Sequence, residues 1–206
     1  MSEIDLTPIV EYFRKHLREH GTGARGMDWK DRDSQYLRFQ VISKYIDASS
    51  RVSVLDVGCG SGEFLAFALE NNIDIDYSGI DICPDMVDAC RQRFGGASTT
   101  CEDATDICER GNKYDYVIAS GTFNAKMDIP ETMWESHFRK SILAMFEMCH
   151  VALVFNVMTS FVDYEYDRLY YPNWEDLSKF VVDELSRRFI IDHSYPLYEM
   201  TMVVLR

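Results

Sequence analysis

The stretch Val54-Leu55-Asp56-Val57-Gly58-Cys59-Gly60-Ser61-Gly62-Glu63-Phe64 carries an apolar run into three glycines at alternate positions and then into a new periodic segment. It reads as a buried strand that turns sharply into a helix, with backbone N–H groups exposed and no Cβ between them and a ligand. The dinucleotide fingerprint G-x-G-x-x-G requires glycine at position 63, where this chain has Glu63, so a nicotinamide or flavin site fits poorly.

Outward from this turn, strand-like and helix-like segments alternate. Strands are predicted over 53–57, 77–82, 98–102, 114–120, 151–156, 189–194 and 198–205. Helices are predicted over 62–70, 84–94, 130–148 and 174–188, with Pro84 suited to a first helical position. The alternation predicts an α/β fold, a seven-stranded, mostly parallel, doubly wound sheet. The last two strands are joined across only Tyr195, Pro196 and Leu197, too few residues for a crossover, so they are predicted to form an antiparallel hairpin. Ahead of this core, residues 1–50 read as a helical cap or lid. It has helices over 5–19 and 34–46, the glycine-rich segment His20 to Gly26 between them, and a Leu37, Val41, Tyr45 stripe that can pack on the sheet. Residues 51–206 form the core.

Composition sets the class. Of 206 residues, 47% are apolar and 27% charged, the balance of an ordinary globular chain rather than a disordered or collagen-like one. Lys and Arg number 21 against 34 Asp and Glu, and a net charge of −13 disfavours nucleic acid and anionic membrane surfaces as partners. No apolar run reaches the roughly 18 residues of a membrane helix. The acidic residues Glu3 and Asp5 do not fit a secretory signal. The six cysteines contain no C-x-x-C pair and read as reduced thiols of a cytoplasmic protein.

Two acidic positions define the ligand expected beside the glycine turn. Asp81 follows the second strand and is placed to accept both hydroxyls of a ribose. At the third strand end, Cys101-Glu102-Asp103-Ala104, Asp103 can accept from an exocyclic adenine amine while the Ala104 N–H donates to a ring nitrogen. Together they predict an adenosine without a pyrophosphate.

With these residues in register, the 51–206 region resembles the class I S-adenosylmethionine-dependent methyltransferases. The resemblance runs through the 56–62 loop, Asp81, Glu102-Asp103-Ala104, the fourth strand and the terminal hairpin. It implies that S-adenosylmethionine is the cofactor. The loop of Asp56, Gly58, Cys59, Gly60 and Gly62 would contact its methionine part, and Ile82 and Met86 would flank adenine, with Ser120-Gly121 passing under the sulfonium. A second, shorter resemblance covers Met27 to Phe39. There a tryptophan and a Ser-Gln-x-x-Arg-Phe run are similar to a segment that folds over the cofactor in bacterial methyltransferases of sugar and other small-molecule pathways. Arg38 is expected on the cofactor carboxylate and Trp29 at the pocket mouth.

The acceptor is read from the segments after the fourth and fifth strands. Ser120-Gly121-Thr122-Phe123-Asn124 lacks the Asn/Asp-Pro-Pro-Tyr/Phe of amino-directed DNA and protein-glutamine methylators. It also lacks the aspartate of a catechol-type metal site, so no metal is expected. Asn124, Asn156, Asp163, Tyr164 and His137 are the catalytic candidates, orienting the nucleophile or taking its proton. Trp29, Phe123, Tyr170 and Tyr171 are the substrate-binding candidates. His193, expected within a strand, is read as structural. The expected acceptor is a small polar metabolite, such as a sugar or nucleotide-sugar derivative, methylated on oxygen or nitrogen by a monomer or homodimer. The alternatives are a protein or RNA methyltransferase and a non-catalytic S-adenosylmethionine-binding module.

Overall fold

Seven strands, described in a computed structural model covering residues 4–206, form one sheet. They are β1 (Val52–Val57), β2 (Ile75–Asp81), β3 (Ser98–Cys101), β4 (Tyr114–Ala119), β5 (Cys149–Met158), β6 (Phe189–Asp192) and β7 (Glu199–Leu205). Their order is β3-β2-β1-β4-β5-β7-β6. The first five are parallel, β7 runs antiparallel to β5, and β6 pairs antiparallel with β7 at the edge. The strand order reverses between β1 and β4, and the crevice at that reversal is where open α/β sheets bind ligands.

Side chains alternate across the sheet. Leu55, Val117, Leu153, Phe155 and Met202 face one layer, built mainly by α6 (Glu131–Met148) and α7 (Trp174–Phe180). Val54, Tyr116, Ile118, Val154 and Val203 face the other, packed by α2 (Arg32–Ser43) and α3 (Glu63–Glu70) through Phe39, Ile42, Phe64 and Phe67. The remaining helices are α1 (Thr7–His20), α4 (Pro84–Arg93) and α5 (Ala104–Cys108). Ile9 of α1 and Ile42 of α2 belong to the same buried clusters as the sheet, so the N-terminal segment packs as part of this core. Residues 1–3 of the predicted cap lie outside the described residues. No helix among the described residues is long and apolar enough to cross a membrane.

Several boundaries differ from those expected. The predicted helix over 174–188 stays α-helical only to Phe180 and then widens into a π turn, Val181–Leu185. The helix expected over 62–70 starts at Glu63 because Gly62 is left-handed, at φ +84°. The second cap helix begins earlier than expected, at Arg32, where the Asp31 side chain accepts from Ser34 N at 2.8 Å. Helix α5 has no counterpart among the predicted helices. It is five residues long and is capped by Asp103, which accepts from Thr105 N at 2.9 Å. β6 ends at Asp192, so His193 lies beyond the strand, its ring stacked on Phe161 at 6.1 Å.

Phe138 of α6 is 1% exposed and touches the rings of Phe123, Phe155 and Tyr170, joining helix, sheet and the loop after β5. Phe138→Ala is expected to lower unfolding free energy by about 3–5 kcal/mol in urea denaturation. A loss below about 1 kcal/mol would mean the aromatic cluster does not join the layers.

Candidate active site

The turn after β1 is left-handed at each glycine, with φ of +73° at Gly58, +53° at Gly60 and +84° at Gly62. A Cβ on Gly58 would lie 2.5 Å from the Thr122 side chain, and one on Gly60 would lie 2.4 Å from Met27 Sδ. Side chains are therefore excluded on both counts, backbone conformation and space. The Gly58 and Cys59 N–H groups donate to Ile80 O at 2.8 and 3.0 Å, closing the turn against β2.

Beside this turn opens a cavity of about 1040 Å³, its mouth included. Asp81 anchors its floor, accepting from Gly60 N at 2.9 Å and Cys83 N at 2.8 Å. Burial raises the Asp81 pKa, and these two N–H bonds oppose the rise. Asp56 lies deeper, 3% exposed, and accepts from Tyr77 Oη at 3.0 Å. Burial is the main reason its carboxyl is pushed up to about 7; the tyrosine bond opposes this and the nearby Asp81 charge adds to it.

The N-terminal segment covers the cavity. Leu6, just before α1, and Ile9 and Phe13 of α1 line it, together with Met27 and Trp29 from the segment between α1 and α2. The Trp29 ring lies against Gly121, where an added Cβ would sit 2.3 Å from the indole. On the far wall, Trp134, His137 and Ser141 of α6 face inward at helical spacing. Burial depresses the His137 pKa, and the charge of Asp103 opposes this. Three buried polar atoms in the wall have no protein partner: Gln35 Oε1, Ser120 Oγ and Ser141 Oγ. Unmatched buried polar atoms around a glycine cradle fit a ligand with both polar and ring character.

Most residues expected around a cofactor come together here. Asp56, Gly58, Cys59, Gly60, Asp81, Ile82, Met86, Glu102, Asp103, Ala104, Ser120 and Gly121 all line the cavity, as do Trp29, Phe123 and His137. Gly62 instead packs against Cys90 and Phe94. Arg38, expected on the cofactor carboxylate, is turned away from the cavity: its guanidinium is spent on Glu199, with Nε 2.9 Å from both carboxylate oxygens, and on Ser34 O. Asn156 is committed too, accepting from Gly121 N at 2.7 Å and donating to Glu199.

The loop after β5 does not reach the cavity. Asp163 accepts from Tyr198 Oη at 2.9 Å on the surface, and Tyr164 is 64% exposed. Tyr170 is buried against Phe138, and Tyr171 lines a separate polar depression with Lys126 and Glu131. Asn124 is buried outside the cavity wall, its main-chain carbonyl accepting from Tyr170 N at 2.8 Å. Lining residues that the sequence reading does not assign include Leu6, Ile9, Phe13, Glu63, Thr122, Trp134 and Ser141. The stripe Leu6, Ile9, Phe13 at helical spacing is a legible signal, though not one that points at a ligand.

Residues 54–140 match the family described as "Methyltransferase domain". Over 165 residues the chain is 31% identical to the Mycobacterium tuberculosis protein Rv1506c, whose name assigns it to the methyltransferases; the match covers 78% of this chain and 97% of that protein. The protein belongs to the class I S-adenosylmethionine-dependent methyltransferases, and S-adenosylmethionine is its cofactor. A malonyl-[acyl-carrier protein] O-methyltransferase of Acetivibrio thermocellus is 36% identical over 90 residues, 43% of this chain and 31% of that one. Among solved structures, the Synechocystis magnesium protoporphyrin IX methyltransferase with bound S-adenosylmethionine shares the fold. Its TM-score is 0.69 at 18% identity, over 100% of this chain and 99% of that one. The Bradyrhizobium japonicum N-methyltransferase NodS with S-adenosylhomocysteine does so at a TM-score of 0.67 and 14% identity, over 95% and 97% of the two chains.

The raised Asp56 pKa has a definite sign. Its folded value lies above its unfolded one, so the stability it contributes is full below about pH 4 and is lost as pH rises to about 7. Asp56→Asn keeps an acceptor for Tyr77 and removes the titration. Relative to wild type, the ligand-free variant is expected to gain roughly 2–4 kcal/mol between pH 4 and pH 8, read from paired urea titrations. A stability difference that does not change with pH would show that Asp56 ionises freely in the fold.

Proposed function

We propose that this enzyme transfers the methyl group of S-adenosylmethionine to an oxygen or nitrogen of a small metabolite inside the covered cavity. The observation that carries this reading is the N-terminal wall. Leu6, with Ile9 and Phe13 of α1 and with Met27 and Trp29, forms an apolar wall of the cavity beside the glycine turn. In our reading this wall leaves room for a small acceptor beside the cofactor and disfavours a polymer strand or protein tail. The net charge of −13 also opposes binding to RNA.

In this reading the Gly58 to Gly60 turn holds the methionine part of the cofactor, Asp81 the ribose hydroxyls, and Asp103 with the Ala104 N–H the adenine edge, with Ile82 and Met86 against the ring. When bound, S-adenosylmethionine supplies an electrophilic sulfonium methyl. The chain's task is alignment and exclusion of water. Trp29, Phe123 and Thr122 bound the acceptor side, next to Gly121. Of the candidate bases named from the sequence, His137 lines the cavity, and burial favours its neutral imidazole, so it is the side chain placed to take a proton from an acceptor that must lose one, while orientation of the nucleophile falls to the rest of the wall. Sugars and nucleotide-sugar derivatives remain the first acceptors to test, alongside small amines and carboxylates. The malonyl-directed relative matches over too little of its length to carry its substrate across.

Transfer of labelled methyl from S-adenosylmethionine to a panel of such acceptors tests the reading. Exclusive labelling of RNA or protein would reject it. Asp81→Ala is expected to weaken S-adenosylhomocysteine binding by about 1–3 kcal/mol in calorimetry, the scale for a charged hydrogen-bonding group. Unchanged affinity would remove the ribose assignment.

A further inference from the structure

Five side-chain and backbone groups close a ring beside the cavity. Glu199, 2% exposed at the start of β7, receives the Arg38 guanidinium and the Asn156 amide. The Asn156 Oδ1 accepts from Gly121 N at 2.7 Å, fixing the backbone where φ is +73°. Trp29 lies against Gly121, and the Arg38 guanidinium carbon stands 3.9 Å from its ring centroid. The indole thus contacts two groups, and both are positioned by one carboxylate: Arg38 directly, Gly121 through Asn156. Each group is satisfied by another member, the condition under which a buried charge is tolerated.

We infer that Glu199 is the positioning residue that latches Trp29 and its segment, 24–30, over the cofactor cavity. Glu199 lies outside the cavity wall and touches no reacting group; its effect on the site passes through Arg38 and Gly121. The segment it holds is also tied down by Asp28, paired with Arg168 at 2.7 Å and with His16 at 3.7 Å, by Met27 against Gly60 and by Gly26 packed on Gly21. The flanking glycines Gly21 and Gly23, at φ +71° and +106°, supply turns about which it can open. Without the carboxylate, Arg38 loses its fixed place under the indole and Asn156 is free to release the Gly121 N–H.

The inference rests on the cofactor occupying this cavity, so the test has one arm without ligand. In ligand-free protein, Glu199→Gln is expected to speed tryptic cleavage after Arg25 and Lys30 at least fivefold, with cleavage within the 51–206 core unchanged. Trp29→Phe, which leaves the buried charges intact, is expected to do the same and serves alone if Glu199→Gln does not fold. In the second arm, surface plasmon resonance with S-adenosylhomocysteine is expected to show faster association as well as faster dissociation in both variants. The double variant should be no faster than the faster single one, because both changes open the same ring. A purely structural role for Glu199 would raise cleavage throughout the chain and leave association unchanged. Either that result, or lid cleavage at the wild-type rate, overturns the latch. Failure of wild type to bind S-adenosylhomocysteine would instead strike at the cofactor assignment and leave the cleavage arm decisive for the latch.

Discussion

The left-handed backbone at Gly58, Gly60 and Gly62 is the constraint on which the rest depends. A chain leaving β1 with side chains at these positions would meet Thr122 from the β4 end, Met27 from the cap, and Cys90 and Phe94 from α4. Three elements thus approach the turn at van der Waals contact, and each closes one side of the cavity. Relaxing the turn to right-handed geometry would move α3 out of its place against α2, where Phe39, Phe64 and Phe67 interlock. Cavity and core are therefore consequences of one local conformation.

Three of the carboxylates held largely out of water in or beside the cavity have different partners. Glu199 faces a guanidinium, Asp81 faces two backbone N–H groups, and Asp56 has only a tyrosine hydroxyl. Desolvation is matched for the first, partly matched for the second and largely unmatched for the third, which is why Asp56 titrates near neutrality. With the methionine part at the glycine turn, as proposed, its sulfonium and amino groups bring positive charge to the side of the cavity where that deficit lies. In this sense the ligand-free fold holds an electrostatic penalty that a cationic cofactor relieves, and affinity and stability are linked through the same group.

The fold was legible because strands and helices differ in apolar period, and seven of seven strand positions fall where alternation and apolar runs put them. The cavity wall was legible for a related reason: residues just past parallel strand ends share one edge, whatever the details of packing. Asp81, Asp103 and Gly121 needed only topology. Arg38 and Asn156 needed more. Both project to the α2 side of the sheet, where Glu199 arrives from β7 by antiparallel pairing with Met158, a contact 41 residues away along the chain. Nothing local to Arg38 announces that partner. The loop after β5 failed as an acceptor wall because Lys126 and Met127 N–H groups bind Arg168 O and draw it across the β4 loop, away from the cavity.

The cap is held by two kinds of force that respond differently to solution conditions. Arg14 with Asp85 and Arg168 with Asp28 are accessible pairs, each of the kind worth about 0–1 kcal/mol and weakened by salt. The apolar face of α1 and the enclosed Arg38–Glu199 pair are shielded from ions. Raising ionic strength therefore loosens the edges of the cap while leaving its centre in place. In the proposed latch, an acceptor entering past Trp29 meets a roof whose resistance is set mainly from beneath, by β7, and only weakly by the acidic surface around it.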